Sequence, residues 1–106
     1  MPAADDVFAA LADPTRRKVV KALAEGAATA TELATLFPVS RQAVVKHLGA
    51  LDAAGLVDAH REGREVRYTL NPAPMAEAME WMVAVGAQWD RRLSSLERHV
   101  RKRRAP

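Results

Sequence analysis

Residues 29–54 read TATELATLFPVSRQAVVKHLGALDAA, and two helices are written in them. Thr29 with Glu32 three residues later is a capping box, in which hydroxyl and carboxylate satisfy each other's backbone N–H groups at the helix start. Leu33 and Leu36 follow as the expected buried side of a short helix. Phe37-Pro38 ends it, because proline turns the preceding residue away from the α region. Ser40 can cap a second helix, with Val39 and Val44 at the two positions of a hydrophobic staple. This second helix should run to about Ala54, where Gly55 stops it. A short helix, a tight turn and a longer helix beginning Ser-Arg-Gln make a helix-turn-helix.

Downstream, the period changes from 3.6 to 2. Val57-Asp58-Ala59-His60-Arg61 and Arg64-Glu65-Val66-Arg67-Tyr68-Thr69-Leu70 alternate around Glu62-Gly63, predicting a β-hairpin with glycine where a positive φ is needed. Val66, Tyr68 and Leu70 share the face expected to pack, which sends Arg67 and Thr69 the other way. A hairpin directly after the second helix of a helix-turn-helix is a wing. Upstream, residues 3–12 place Val7, Phe8 and Leu11 on one side of a short helix. Asp13-Pro14 then opens another, running to about Ala24 with Val19, Val20 and Leu23 buried and Gly26 ending it.

The last helix is predicted over 74–101. Its apolar positions are Met75, Met79, Met82, Gly86, Trp89, Leu93, Leu96 and Val100, alternating in steps of four and three as a heptad seam. At 1.5 Å per residue such a helix is about 40 Å long, so part of the seam lacks cover in a monomer. It reads as a dimer interface, with intramolecular core the alternative, and Gly86 would let another helix approach closely. A second stripe, Ala78, Trp81 and Val85, can pack on the body of the domain. The fold class is therefore mainly α with a small β-hairpin, a winged helix-turn-helix in the order α-α-α-α-β-β-α, dimeric through its terminal helices. The organisation is one domain over 1–106: helix-turn-helix 29–54, wing 56–70, dimerisation helix 74–101 and basic tail 102–106.

Composition sets the limits. With 106 residues, 49% apolar and 27% charged, the chain is one globular domain with a modest core. There is no cysteine, which excludes disulfides, thiolate metal sites and cysteine nucleophiles. No apolar run approaches the roughly 20 residues that span a bilayer, and the acidic start (Asp5, Asp6) does not resemble a signal peptide. The expectation is a cytoplasmic protein without a membrane partner. The net charge is +3, but Arg101-Lys102-Arg103-Arg104 supplies four of the sixteen basic residues, leaving twelve against thirteen acidic ones. Charge alone does not argue for nucleic acid.

Arrangement does. Val44, Leu48 and Leu51 take the buried face of the 40–54 helix. Arg41, Gln42, Val45, Lys46 and Gly49 are left outward, with Arg41 in the first turn, the end that enters a major groove. Arginine suits guanine O6/N7, glutamine suits adenine N6/N7 and valine packs on a thymine methyl. Lys46 suits a phosphate, as does Ser40 with the N–H groups beside it at the helix start. In the wing, Arg61, Arg64 and Arg67 surround the turn, either for a minor groove or phosphate or paired with Glu62 and Glu65. The basic tail either complements the helix dipole or adds a phosphate contact. His47 lies between the two faces of its helix, where a structural hydrogen bond is the simpler role and a base contact the other. His47, His60 and His99 have no metal-site spacing, and no nucleophile–base pair or phosphate loop is present. The chain is read as having no catalytic site, no metal and no cofactor.

The segments FAALADPTRRKVVKAL, ATELATLFPVSRQAVVKHLGALDAAGLV and REGREVRYTLNP together resemble the ArsR family of bacterial repressors, small winged helix-turn-helix dimers. The resemblance covers nearly the whole chain. It implies a homodimer joined by the first and last helices, which adds Val7, Phe8 and Leu11 to an interface of Met75, Met79, Met82, Gly86, Trp89, Leu93 and Leu96. It also implies a palindromic operator of double-stranded DNA, contacted by Ser40, Arg41, Gln42, Val45 and Lys46 and by the Arg61–Arg67 wing. Metal-sensing members carry cysteines in the third helix, where this chain has Glu32-Leu33-Ala34-Thr35-Leu36, or paired ligands on the last helix, where it has only His99. The expected function is a sequence-specific, metal-independent repressor whose effector the sequence does not reveal. The alternative is a winged-helix interaction or architectural module without operator specificity.

Overall fold

The structure, a computed structural model, describes residues 4–104; Ala3 of the first predicted helix and residues 105–106 of the basic tail lie outside them. The elements are α1 (Ala4–Leu11), α2 (Pro14–Glu25), β1 (Ala28–Thr29), α3 (Ala30–Ala34), α4 (Arg41–Ala53), β2 (Val57–Glu62), β3 (Glu65–Leu70) and α5 (Ala73–Arg104). The fold is mainly helical, with a small antiparallel sheet in the order β1-β3-β2.

One short stretch makes the first corner. The Asp13 carboxylate caps α2, accepting from Thr15 N (2.8 Å) and Arg16 N (3.1 Å), with Pro14 at the first helical position. The next two side chains reach back to carbonyls that α1 leaves free at its end. Arg16 Nη1 donates to Ala10 O (3.3 Å), and Arg17 Nη1 to Leu11 O (2.8 Å) and Ala12 O (3.1 Å). The second corner is the capping box: Glu32 N donates to Thr29 Oγ1 (3.1 Å), and Thr29 N to Glu32 Oε1 (3.0 Å). Ser40 caps α4 by accepting from Ala43 N at 3.1 Å. Gly55, at φ 75°, takes the left-handed turn that ends the helix.

Around these corners Val7, Val19, Leu23, Leu33, Val44, Leu48, Leu51, Leu56 and Val57 close one core. Val44, Leu48 and Leu51 lock the inner face of α4 and so fix which face turns outward.

Several expectations need correction. Leu36 is exposed, not buried, because α3 ends at Ala34 and the following turn carries Leu36 out of the helical period. The hairpin loop is Gly63-Arg64, since Glu62 still pairs with Glu65. Gly63 leads it at φ 63° while Arg64 keeps a negative φ, the pattern of a type II′ turn. Val66 is exposed near the tip, whereas Tyr68 and Leu70 on the same face do pack on the core. β1 was not anticipated; it lays Ala28 against Tyr68 and Thr29 against Arg67. α5 continues through three of the residues assigned to the tail. Val7 belongs to the protomer's own core at 1% exposed, so it is not available to a partner. Of the second stripe only Ala78 is buried. Trp81 meets Phe8 edge-on at 5.6 Å yet stays open to solvent, as does Val85.

Two carboxyls at these corners are held below the usual carboxylate range. Asp13 is lowered first by the Arg16 backbone N–H, and Glu32 first by the Thr29 backbone N–H and then its hydroxyl. A carboxyl whose folded pKa lies below its unfolded value stabilises above the ordinary range, and that stabilisation is lost as pH falls. Melting temperature is therefore expected to drop as pH is lowered from about 7 to about 3, and to drop less in Asp13→Asn with Glu32→Gln. Equal drops in variant and parent would show that these caps do not govern the acid sensitivity.

Candidate nucleic-acid interface

α4 presents Arg41, Gln42, Val45, Lys46 and Gly49 to solvent, while its other side lies in the core. Gln42, Lys46 and Gly49 stand at i, i+4 and i+7, one stripe along the helix. Ser40 is exposed at its head, with its hydroxyl committed to the cap. Arg41 is less free than the sequence suggests. Its Nε donates to Thr31 Oγ1 at 3.1 Å, and the residue lines the groove between α4 and the wing. That groove, of about 360 Å³, is lined by Thr31, Arg41 and Val45 from the helices and by Arg64, Glu65, Val66 and Tyr68 from the hairpin, among others. The first turns of α4 and the wing tip therefore border one continuous surface.

The three wing arginines separate into two kinds. Arg67 is held by carboxylates: its Nε donates to Glu62 Oε2 (3.2 Å), its Nη1 to Glu32 Oε1 (3.3 Å), and Nη2 stands 3.8 Å from Glu65. Glu62 first, then Glu32, push its pKa up, and its charge faces three carboxylates. Arg61 and Arg64, by contrast, make no ion pair or side-chain hydrogen bond among the described residues and are exposed. The free positive charge of the wing therefore sits at its tip, and Arg67 braces the hairpin against the cap of α3.

The Thr31 and Glu32 contacts are the part of the site that sequence reasoning missed. Glu32 carried a complete local explanation as a capping residue, and nothing local marks a partner 35 residues away. His47 also departs from expectation: its Nδ1 is buried without a hydrogen-bond partner, although the ring lies near enough to Asp13 to help lower that carboxyl. His60 Nε2 lies 3.3 Å from Thr69 Oγ1 across the hairpin. Among the described residues no group of three or more His, Cys, Asp or Glu stands together as a metal site, and no helix is long and apolar enough to cross a membrane.

On the other side, α5 carries its seam into solvent. Met79, Met82, Trp89, Leu93 and Leu96 are between 41% and 59% exposed. Phe8, Leu11 and Met75 are half-buried against the protomer's own core.

Known proteins share this architecture. Residues 11–60 match the family described as a helix-turn-helix domain. The transcriptional repressor SdpR of Bacillus subtilis is 35% identical over 79 residues, 74% of this chain and 88% of that protein. The HTH-type transcriptional regulator CmtR of Mycobacterium tuberculosis is 42% identical over 76 residues, 72% of this chain and 64% of CmtR. An ArsR-like transcriptional regulator from Rhodococcus sp. RHA1 superimposes with a TM-score of 0.78 at 43% identity, covering 90% of each chain.

Proposed function

The chain belongs to the ArsR family of winged helix-turn-helix regulators, so it is a DNA-binding transcriptional regulator and not an enzyme; we propose that it acts as a homodimeric repressor on a palindromic operator in the bacterial cytoplasm. The observation that carries this reading is the outward stripe of α4 joined by one groove to an uncompensated wing tip. Gln42 and Arg41 read base edges, Val45 packs against a methyl, and Lys46 and the Ser40 turn hold phosphates. Arg64 and Arg61 follow the backbone or minor groove beside the helix. Arg67 supports the wing through Glu32 and touches DNA least. Two such surfaces on a dimer match two half-sites one helical turn apart.

CmtR of Mycobacterium tuberculosis is a cadmium metal-sensor. Cadmium sensing does not carry over, because these 106 residues contain no cysteine to offer a soft thiolate.

The test is binding to DNA from upstream of the protein's own gene, against a scrambled duplex of equal composition at fixed salt. A repressor should prefer an inverted repeat in that region by about 10³-fold or more. Equal, steeply salt-dependent binding to both would instead favour an architectural module.

Gly49 provides a second expectation. A methyl group built there meets nothing within 4 Å, so the protomer gives no packing reason for glycine in mid-helix, where it costs about 1 kcal/mol relative to alanine. Close approach of the DNA backbone gives one. Gly49→Ala should raise the melting temperature by roughly 4–8 °C and weaken operator binding. A variant that melts higher and binds DNA unchanged would remove Gly49 from the interface.

A further inference from the structure

Two neighbouring residues at the head of α3 each hold an arginine, and they do so with opposite chemistry. Glu32 takes Arg67 by charge, together with Glu62 and Glu65. Thr31 takes Arg41 by a neutral hydroxyl, which accepts from Nε at 3.1 Å. Helix capping does not explain Thr31. The cap of α3 is made by Thr29 and Glu32, and Thr31 is exposed in the first turn, where a β-branched residue is a weaker choice than alanine. Among the described residues its hydroxyl has one partner, Arg41. Arg41 in turn has no other hydrogen bond or ion pair among them.

We propose that Thr31 is a positioning residue for specificity: by holding Nε it leaves Arg41 only its Nη1–Nη2 edge, which reads one guanine in each half-site. An arginine can meet the O6 and N7 acceptors of guanine in two ways, through Nε with one Nη or end-on through both Nη groups. The bond to Thr31 occupies the single Nε–H and removes the first way. It also fixes torsions of a long, flexible side chain before DNA arrives, so less freedom is lost on binding. A carboxylate at this place would set the guanidinium against an anion, as happens at Arg67. A hydroxyl orients the group and leaves its charge whole. Thr31 and Arg41 both line the groove shared with Arg64 and Val66 of the wing, so the pair stands on the surface given above to DNA.

This inference rests on the base-reading role given to Arg41 above, and its test separates the two. Duplexes are taken from those that the unmodified protein selects from a random pool. Each guanine of one half-site, on either strand, is then exchanged for adenine in turn. The readout is the ratio of affinities of one protein for the two duplexes, in which a change of protein stability cancels. Arg41→Ala should lower that ratio roughly 5- to 150-fold at a single guanine, and so locate it. Thr31→Val keeps the shape and removes the hydroxyl. It should lower the ratio at the same guanine about two- to tenfold, the worth of one hydrogen bond, and leave affinity for unrelated DNA unchanged. Thr31→Ser should restore the ratio. Added to Arg41→Ala, Thr31→Val should cost nothing more, because it acts through the arginine.

A pool without a motif, or ratios that Arg41→Ala leaves alone, would overturn the base-reading role and the inference with it. If Arg41→Ala acts and Thr31→Val does not, Arg41 reads without help and the positioning role alone is overturned. An equal loss on every sequence with Thr31→Val would put the hydroxyl on a phosphate. A loss that persists in the Arg41→Ala background would put it on a base of its own. Either result overturns the proposal.

Discussion

Leu48→Ala is expected to lower the unfolding free energy by about 2–5 kcal/mol and to abolish most DNA binding with it. Leu48 is fully buried in the cluster that joins α4 to α2, α3 and the sheet. Truncation there removes apolar contact and leaves a cavity under the very helix whose opposite face carries Gln42 and Lys46. A domain of this size has about 5–15 kcal/mol in total, so the loss is a large share. Urea unfolding at one fixed protein concentration measures it, because association adds to apparent stability. Leu36→Ala is the matching control. At 62% exposed it should change stability by less than about 0.5 kcal/mol. A cost under about 1 kcal/mol at Leu48 would contradict the packing of α4.

Gln42→Ala is the other large effect. A residue that reads a base edge is worth about 1–3 kcal/mol against the wrong base. A dimer loses it in both half-sites, so discrimination should fall by about 2–6 kcal/mol, some 30-fold to more than 10⁴-fold. Affinity for unrelated DNA should hardly move. Lys46→Ala should behave in the opposite way, weakening all sequences alike and lowering the salt slope by about one per protomer. Quantitative titrations against the operator and point-mutated half-sites at three salt concentrations separate the two patterns. If Gln42→Ala lost operator and unrelated DNA equally, the side chain would be holding the backbone rather than reading bases. Arg41 is the less clean probe, since its Nε bond to Thr31 means that removing it also loosens the α3–α4 corner.

What the sequence disclosed follows the range of the interaction involved. Asp13, Thr29 with Glu32, and Ser40 were legible as caps because a cap and the N–H groups it serves lie within three residues. Pro38, Gly55 and Gly63 were legible because each restricts or frees its own backbone. The alternating hairpin and the heptad seam were legible as periods. The two-residue β1 has no period to show, and it exists because β3 supplies its partner across nearly 40 positions. Leu36 was assigned by extending a helical period past the last helical residue. The stripe of Ala78, Trp81 and Val85 is legible as a period, but only the fold shows that Ala78 alone of the three is covered. Arg67 looked like its neighbours Arg61 and Arg64, and the fold alone decides that three carboxylates surround one arginine and leave the other two free. The outward residues of α4 were found because its inner face was so plainly apolar.

Selection of bound duplexes from a random pool tests most directly whether α4 is presented outward, twice and symmetrically, to DNA. The expected result is an inverted repeat with half-site centres about 10–10.5 base pairs apart, lost when the selection is repeated with Gln42→Ala. A pool that returns no motif, or a single unpaired half-site, would contradict it.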